Sequence, residues 1–386
     1  MMPSESSSEQ VLSNARIVLA DEVVHGNLHL RDGKISDIAA GATAVPGAED
    51  LEGDYVLPGL IDLHTDHFEK HVLPRPGTQW DMVSAVMAHD AQMAAGGVTT
   101  TFDCVCVGVS IKHPERREIL LPMIDAVREA SDKDILRADH IVHLRCEVTD
   151  EVVVDLFDAV ADHAAVGMMS LMDHAPGHRQ YPDIKHFRER TMKNLRISEA
   201  EADAHIERLL GTQEYLVPKN RLELAERAKA RGLALASHDD ETPEHVADAA
   251  ALGISVAEFP TTLAAAEAAR DNGMKIIMGA PNLMRGGSHS GNVSAAELAA
   301  EGLLDNLASD YVPASLVQAA FRLTDAAHGL DLPRAVATVS ATPAETAGLA
   351  DRGRIEPGLK ADLLRVAVIE GQPFVKTVWR DAKRVM

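Results

Sequence analysis

His64 and Asp66 stand two residues apart at the end of an apolar run, 56–63. On an extended strand, side chains i and i+2 share a face, so this imidazole and this carboxylate project together. Such a pair is half of a site for a divalent transition metal. It is equally a strand end tied by an ordinary His–Asp hydrogen bond, and the pair alone does not choose. Four more ligand-type residues close apolar runs downstream: Glu147, His174, His238 and Asp310. Three imidazoles and three carboxylates on five runs suit Zn2+, Mn2+ or Fe2+. A single His at a strand end is more often structural, but five runs that all end this way point to one metal site.

The elements that must position these residues alternate in type. Strand-like runs cover 57–64, 98–105, 141–147, 166–172, 233–237, 254–258, 275–278 and 306–309. Helical patterns lie between them, at 81–95, 114–130, 151–161, 197–210, 222–230, 243–252, 263–272 and 294–301, and two more follow at 312–328 and 332–339. Parallel strands need crossover connections, so eight such units predict an α/β fold, a closed (β/α)8 TIM barrel over 55–350. Barrels of this kind carry catalytic groups at the carboxyl ends of their strands, where the ligand-type residues fall. The polar segment 175–220 is long for a connection and reads as a functional insertion or lid. Short strand-like segments at 11–54 and 351–386 predict a small β-sandwich domain built from both termini. Residues 1–10 are polar and rich in Ser and Glu, and predict a disordered N-terminus.

Composition narrows the partners. The chain has 386 residues, 46% of them hydrophobic, enough for a large core. Its 37 basic and 59 acidic residues give 37 − 59 = −22, which disfavours nucleic acid and anionic membranes as partners. No run is long enough to span a bilayer and no secretory signal is evident, so a cytoplasmic protein is expected. Cys104, Cys106 and Cys146 lie in apolar strand-like runs and read as buried, reduced thiols.

The chain resembles the amidohydrolase superfamily in its strand-1 metal motif after PGLID, its later histidines, its strand-8 Asp and the terminal phrase GRIEPGLKADLL. Within that superfamily it is similar to the triphosphate diphosphatases of the carbon–phosphorus lyase pathway. The phrases that carry this are PGLIDLHTDHFEKHVLPRPG (58–77), SAVMAHDAQMAAGGVTTTFD (84–103), HLRCEV (143–148), SLMDHAPGHRQY (170–181), SHDDET (237–242), ISVAEFPTT (254–262), MGAPNLMRGGSHSGN (278–292) and LASDYVP (307–313). The strand-1 motif is His-x-Asp where His-x-His is the superfamily's commonest form, and no bridging lysine is apparent. The two later histidines fall after strands 4 and 5, where strands 5 and 6 are usual.

The resemblance implies one or two divalent ions, Zn2+ first. His64, Asp66 and Asp310 would hold one, His174 and His238 a second, with Glu147 as the bridge. Such ions bring the pKa of water to about 7, and Asp310 would accept its proton as general base. The implied reaction is hydrolysis of α-D-ribose 1-methylphosphonate 5-triphosphate to the 5-phosphate and diphosphate in alkylphosphonate breakdown. An anionic sugar phosphonate needs cations. Candidates are Lys70, His71 and Arg75 behind the metal motif, Arg179 and Lys185 after His174, and Arg285, Ser288, His289 and Ser290 in a loop opened by Gly286-Gly287. His67 and His89 read as packing or supporting groups, and Asp239 and Asp240 as partners to His238. Two rival readings use the same frame: an enzyme cleaving a C–N bond, dihydroorotase-like or deacylase-like, and a metal-free scaffold. Homodimers are common in the superfamily.

Overall fold

Gly59 is where two sheets meet. The run read as one strand, 57–64, divides there: Tyr55–Pro58 belongs to one sheet and Leu60–Thr65 to the other. A Cβ on Gly59 would lie 2.2 Å from Thr99 Oγ1, so only glycine lets the chain pass so close to the next strand. The computed structural model describes residues 9–108, 115–177, 179, 183–287 and 291–386.

The larger sheet has eight parallel strands: β1 (Leu60–Thr65), β2 (Val98–Val107), β3 (Asp139–Glu147), β4 (Val166–Met172), β5 (Ala234–His238), β6 (Val256–Glu258), β7 (Lys275–Gly279) and β8 (Asn306–Ala308). They pair in chain order, and a parallel bridge from Thr65 to Asp310 closes the barrel. The carboxylate of Asp62 reinforces the seam, its Oδ1 accepting the N–H of Ser309 at 3.0 Å and of His64 at 3.2 Å. All six residues of β1 are buried, as expected of a strand covered on both faces. Ile61, Phe102, Met168, Ala236, Val256 and Ile277 fill the axis, so the barrel is a packed core with its chemistry at one end.

The helices start and stop for local reasons. Asp81 caps the helix Met82–Ala95 by accepting the Ser84 N–H at 2.8 Å, and the chain leaves that helix through Gly97 at φ 89°. The stretch expected to be a long insertion is largely helical, with Ile184–Leu195 followed by Glu199–Ala230. The second of these is one helix of 32 residues where the sequence suggested two, with Pro218 inside it. Leu216, Val217, Leu224, Ala225 and Ala228 form one buried helical face across the proline, and that burial outweighs the lost N–H. The helix expected over 312–328 is shorter, Ser315–Arg322.

The second sheet is mixed and also has eight strands, drawn from both ends of the chain. Tyr55–Pro58 runs parallel to Glu9–Val18 and antiparallel to Leu363–Ile369. Leu12, Ile17, Leu28, Val56, Leu363 and Trp379 form a core of its own. Glu9 and Gln10, expected to be disordered, begin its first strand. The rest of that expectation, residues 1–8, lies outside the described residues. The three cysteines are free. Among the described residues no helix is long and apolar enough to cross a membrane.

Candidate active site

A cavity of about 570 Å³ opens at the carboxyl end of the barrel. His64, Asp66 and Asp310 line it from the seam between β1 and β8, with Asp239 after β5 and Arg145 from β3. Asp310 donates its N–H to His64 O at 3.0 Å and accepts the N–H of Asp66 on its own carbonyl at 2.7 Å. Chain closure therefore brings these three together.

Glu258, at the end of β6, organises the histidines. It is 1% exposed. Its Oε1 lies 3.1 Å from His64 Nδ1 and its Oε2 3.2 Å from His238 Nδ1. A carboxylate accepts, so both imidazoles donate from Nδ1 when neutral and keep a lone pair on Nε2. Those Nε2 atoms face carboxylates: His64 Nε2 is 3.7 Å from Asp66, and His238 Nε2 is 3.4 Å from Asp239 Oδ2. Asp239 Oδ2 is buried without a hydrogen-bond partner. It also lies 3.9 Å from His174 Nε2. Paired lone-pair nitrogens and carboxylate oxygens, one of them orphaned, are the donor set of a transition-metal site, so the residues present fit a divalent cation.

Glu147, expected as the bridge, sits against His174. Glu147 takes His174 Nδ1 at 2.7 Å, the His174 N–H at 3.2 Å and the Thr149 hydroxyl at 2.8 Å. It does not line the cavity. Glu147 thus pairs with His174, and a second carboxylate, Glu258, lies between two imidazoles. The placement of the two histidines after β4 and β5 is as read from the sequence.

Charge is concentrated at the seam. Burial works against ionising Asp66, but the adjacent Arg145 guanidinium and His64 hold its carboxyl well below the ordinary range. Asp310 moves the other way: burial, then the Asp66 charge beside it, raise its proton affinity. Glu258 is held well below the ordinary range despite burial, because His64 and His143 surround it. Two carboxyls pushed apart at one site suit an acid–base pair.

The cations sort differently from expectation. Arg285 lines the cavity, with Nη1 3.4 Å from the Tyr311 hydroxyl. Lys70 does not line it but approaches Tyr311, which does, with Nζ 5.8 Å from the centroid of that ring. His71 and Arg75 do not line it; His71 meets Gln92 at 3.3 Å, and Arg75 holds its own turn through Thr78 at 3.3 Å. Arg179 is buried behind His238, giving Nη1 to Asp240 Oδ1 at 2.6 Å and to His238 O at 3.2 Å. Its guanidinium neutralises buried carboxylates. Lys185 is exposed in the first turn after the Asp183 cap. Ser288, His289 and Ser290 lie outside the described residues. Sequence reasoning missed Glu258, Arg145 and Arg190, the last two lining the cavity. Glu258 obeys the same strand-end rule as the others, and Arg145 shares a strand face with Glu147 two residues on. Arg190 has no such local signal.

The amidohydrolase family model matches residues 55–385. Over 376 residues the chain is 43% identical to the alpha-D-ribose 1-methylphosphonate 5-triphosphate diphosphatase of Escherichia coli (strain K12), covering 97% of this chain and 100% of that protein. Among solved structures, N-acetyl-D-glucosamine-6-phosphate deacetylase from Mycobacterium smegmatis aligns with TM-score 0.65 and 18% identity, over 98% of this chain and 100% of that chain. Dihydropyrimidinase from Brevibacillus agri NCHU1002 aligns with TM-score 0.64 and 13% identity, over 98% and 95%. These two share the fold. Sequence match, fold and donor set agree that this is a divalent-metal-dependent hydrolase, and the chain belongs to the amidohydrolase family.

Proposed function

We propose that the protein hydrolyses α-D-ribose 1-methylphosphonate 5-triphosphate to α-D-ribose 1-methylphosphonate 5-phosphate and diphosphate. The observation that carries this is the 43% identity to the Escherichia coli diphosphatase along that protein's whole length. The cavity supports it, because arginines and metal-type ligands share one wall-to-wall space, as a polyphosphate requires.

His64, Asp66, His174, His238, Asp239 and Asp310 are the residues that would hold the cation, with Zn2+ first and Mn2+ or Fe2+ next. When bound, a divalent cation acidifies water and offsets charge on phosphoryl oxygens. The protein's own groups do the rest. Asp310, with its raised proton affinity, takes the proton from the attacking water. The water oxygen bonds to the α-phosphorus as the bridging bond from that phosphorus toward the β-phosphate breaks, and diphosphate leaves with the electron pair. Arg285 and Arg190 bind the departing charge, and Glu258 keeps His64 and His238 in the ligating tautomer. Arg145, already beside Asp66, stands within reach of a phosphoryl oxygen.

Phosphorus NMR of metal-loaded enzyme in 18O-labelled water tests the reading. The expected result is diphosphate release with label in the sugar 5-phosphate. Label in diphosphate would place attack on the β-phosphorus, and turnover of cyclic amides without diphosphate release would overturn the proposed reaction.

A further inference from the structure

Behind the metal motif, outside the cavity, three imidazoles converge. His67 and His71 are four residues apart on the helix His67–Val72, and so share a face. His89 reaches them from the helix Met82–Ala95. Ring centroids are 5.2 Å apart for His67 and His71, 6.2 Å for His67 and His89, and 5.9 Å for His71 and His89. One ring nitrogen from each lies within 4.8 Å of the other two.

The hydrogen bonds leave lone pairs inside this triangle. His89 Nε2 lies 2.8 Å from Asp103 Oδ1, and the other oxygen of Asp103 takes His140 Nδ1 at 2.7 Å. With its proton held on Nε2, His89 keeps a lone pair on Nδ1, which is buried without a hydrogen-bond partner. His67 Nδ1 is likewise buried and without a partner. His71 Nε2 meets the carbonyl oxygen of Gln92 at 3.3 Å, which leaves the lone pair on its other nitrogen. Leaving a buried polar atom unsatisfied is destabilising. A cation would satisfy all three rings at once, with His67 presenting a lone pair when its proton sits on the other nitrogen.

We propose that His67, His71 and His89 form a second metal site, for Zn2+, with water in the fourth position. Three neutral imidazoles at about 2.0–2.1 Å are a common zinc ligand set, and a carboxylate behind a ligating histidine, here Asp103 behind His89, is its usual support. Tetrahedral ligation needs nitrogens roughly 3.4 Å apart, reached by rotating His67 and His71, both only half-buried. The ion would pin the chain directly after Asp66 to the helix that packs on β2. Its role is to position, since none of the three histidines lines the cavity.

Zinc titration of chelator-treated, full-length protein, followed by calorimetry and elemental analysis, tests this. Wild type should bind one more equivalent than His71→Asn or His67→Asn, with circular dichroism confirming that each variant is folded. His238→Asn should lose zinc from the other site and retain this equivalent, so failure of the active-site assignment and failure of this one give different results. Equal stoichiometry in wild type and both folded variants overturns the proposal. Anomalous scattering from zinc-soaked wild-type crystals needs no variant: a peak bonded to the three rings supports the site, and its absence at saturating zinc refutes it.

Discussion

The main-chain carbonyl of Asp310 accepts the N–H of Asp66 at 2.7 Å. Residues 244 apart in sequence, 310 − 66, are thus fixed by backbone alone, and their two carboxylates compete for charge. Asp310 sits at φ 53°, a left-handed conformation that Asp and Asn tolerate better than branched residues. Asp310→Asn should therefore keep the seam and the melting temperature while kcat falls by about 10²–10⁴-fold. Retention of kcat in that variant would remove Asp310 from catalysis.

Glu258→Gln tests the tautomer argument. A glutamine offers one acceptor and one donor, so it cannot accept from both His64 and His238. Metal affinity should drop by about 10–100-fold, read by competition with a chromogenic chelator. Unchanged affinity would mean that Glu258 only fills space.

The arginines should separate cleanly. Arg285 is exposed at the cavity, so Arg285→Ala is expected to raise KM about tenfold, or about 1.5 kcal/mol after allowing for solvent screening. Arg75→Ala, in its exposed turn, should leave KM where it was. Arg179→Ala should act on stability, by about 3–5 kcal/mol in chemical denaturation, because Asp240 loses its buried counter-charge and Asp173 its neighbouring one. A variant of Arg179 that raised KM at full stability would reverse this assignment.

Stability should fall in alkali. Burial opposes charge on His140, but Asp103 and then Asp90 outweigh it, pushing its pKa from the ordinary 6.5 up to about 10. The folded state binds this proton more tightly than the unfolded chain does. Its stabilisation is complete below pH 6.5 and is lost as pH rises through about 10. Unfolding free energies measured across that window should decline, and His140→Gln should flatten the decline. A wild-type profile level from pH 6.5 to 10 would contradict it.

Much of this was legible in the chain itself. The eight strands announce themselves through β-branched or apolar runs that stop at turn residues, and the strand-end rule finds His64, Asp66, His174, His238 and Asp310 without coordinates. Glu258 satisfies the same rule, but its significance lies in two imidazoles contributed by other strands. Glu147 obeys the rule as well, but its partner, His174, follows the adjacent strand, and only geometry shows them bonded to each other. Arg179 and Arg190 are both cations in one polar segment. Which of them is buried against Asp240 and which faces the cavity depends on how that segment packs, a property no local pattern encodes. The helices read at 197–210 and 222–230 are one for a similar reason, since a buried face on both sides of Pro218 holds the helix together through it.

The seam between Asp62 and Ser309 also sets a timetable. Its partners are 247 residues apart, and the strand Tyr55–Pro58 pairs with Leu363–Val366 near the far end of the chain. During synthesis, β1 must wait with an unpaired edge until β8 emerges, and the neighbouring sheet waits longer still. Such distant pairings fold slowly and leave strand edges open to wrong partners. Because His64 lies on the waiting strand, Asp66 directly follows it and Asp310 arrives with the last, the proposed ligand set would be complete only once the barrel has closed, which would tie metal capture to the final step of maturation.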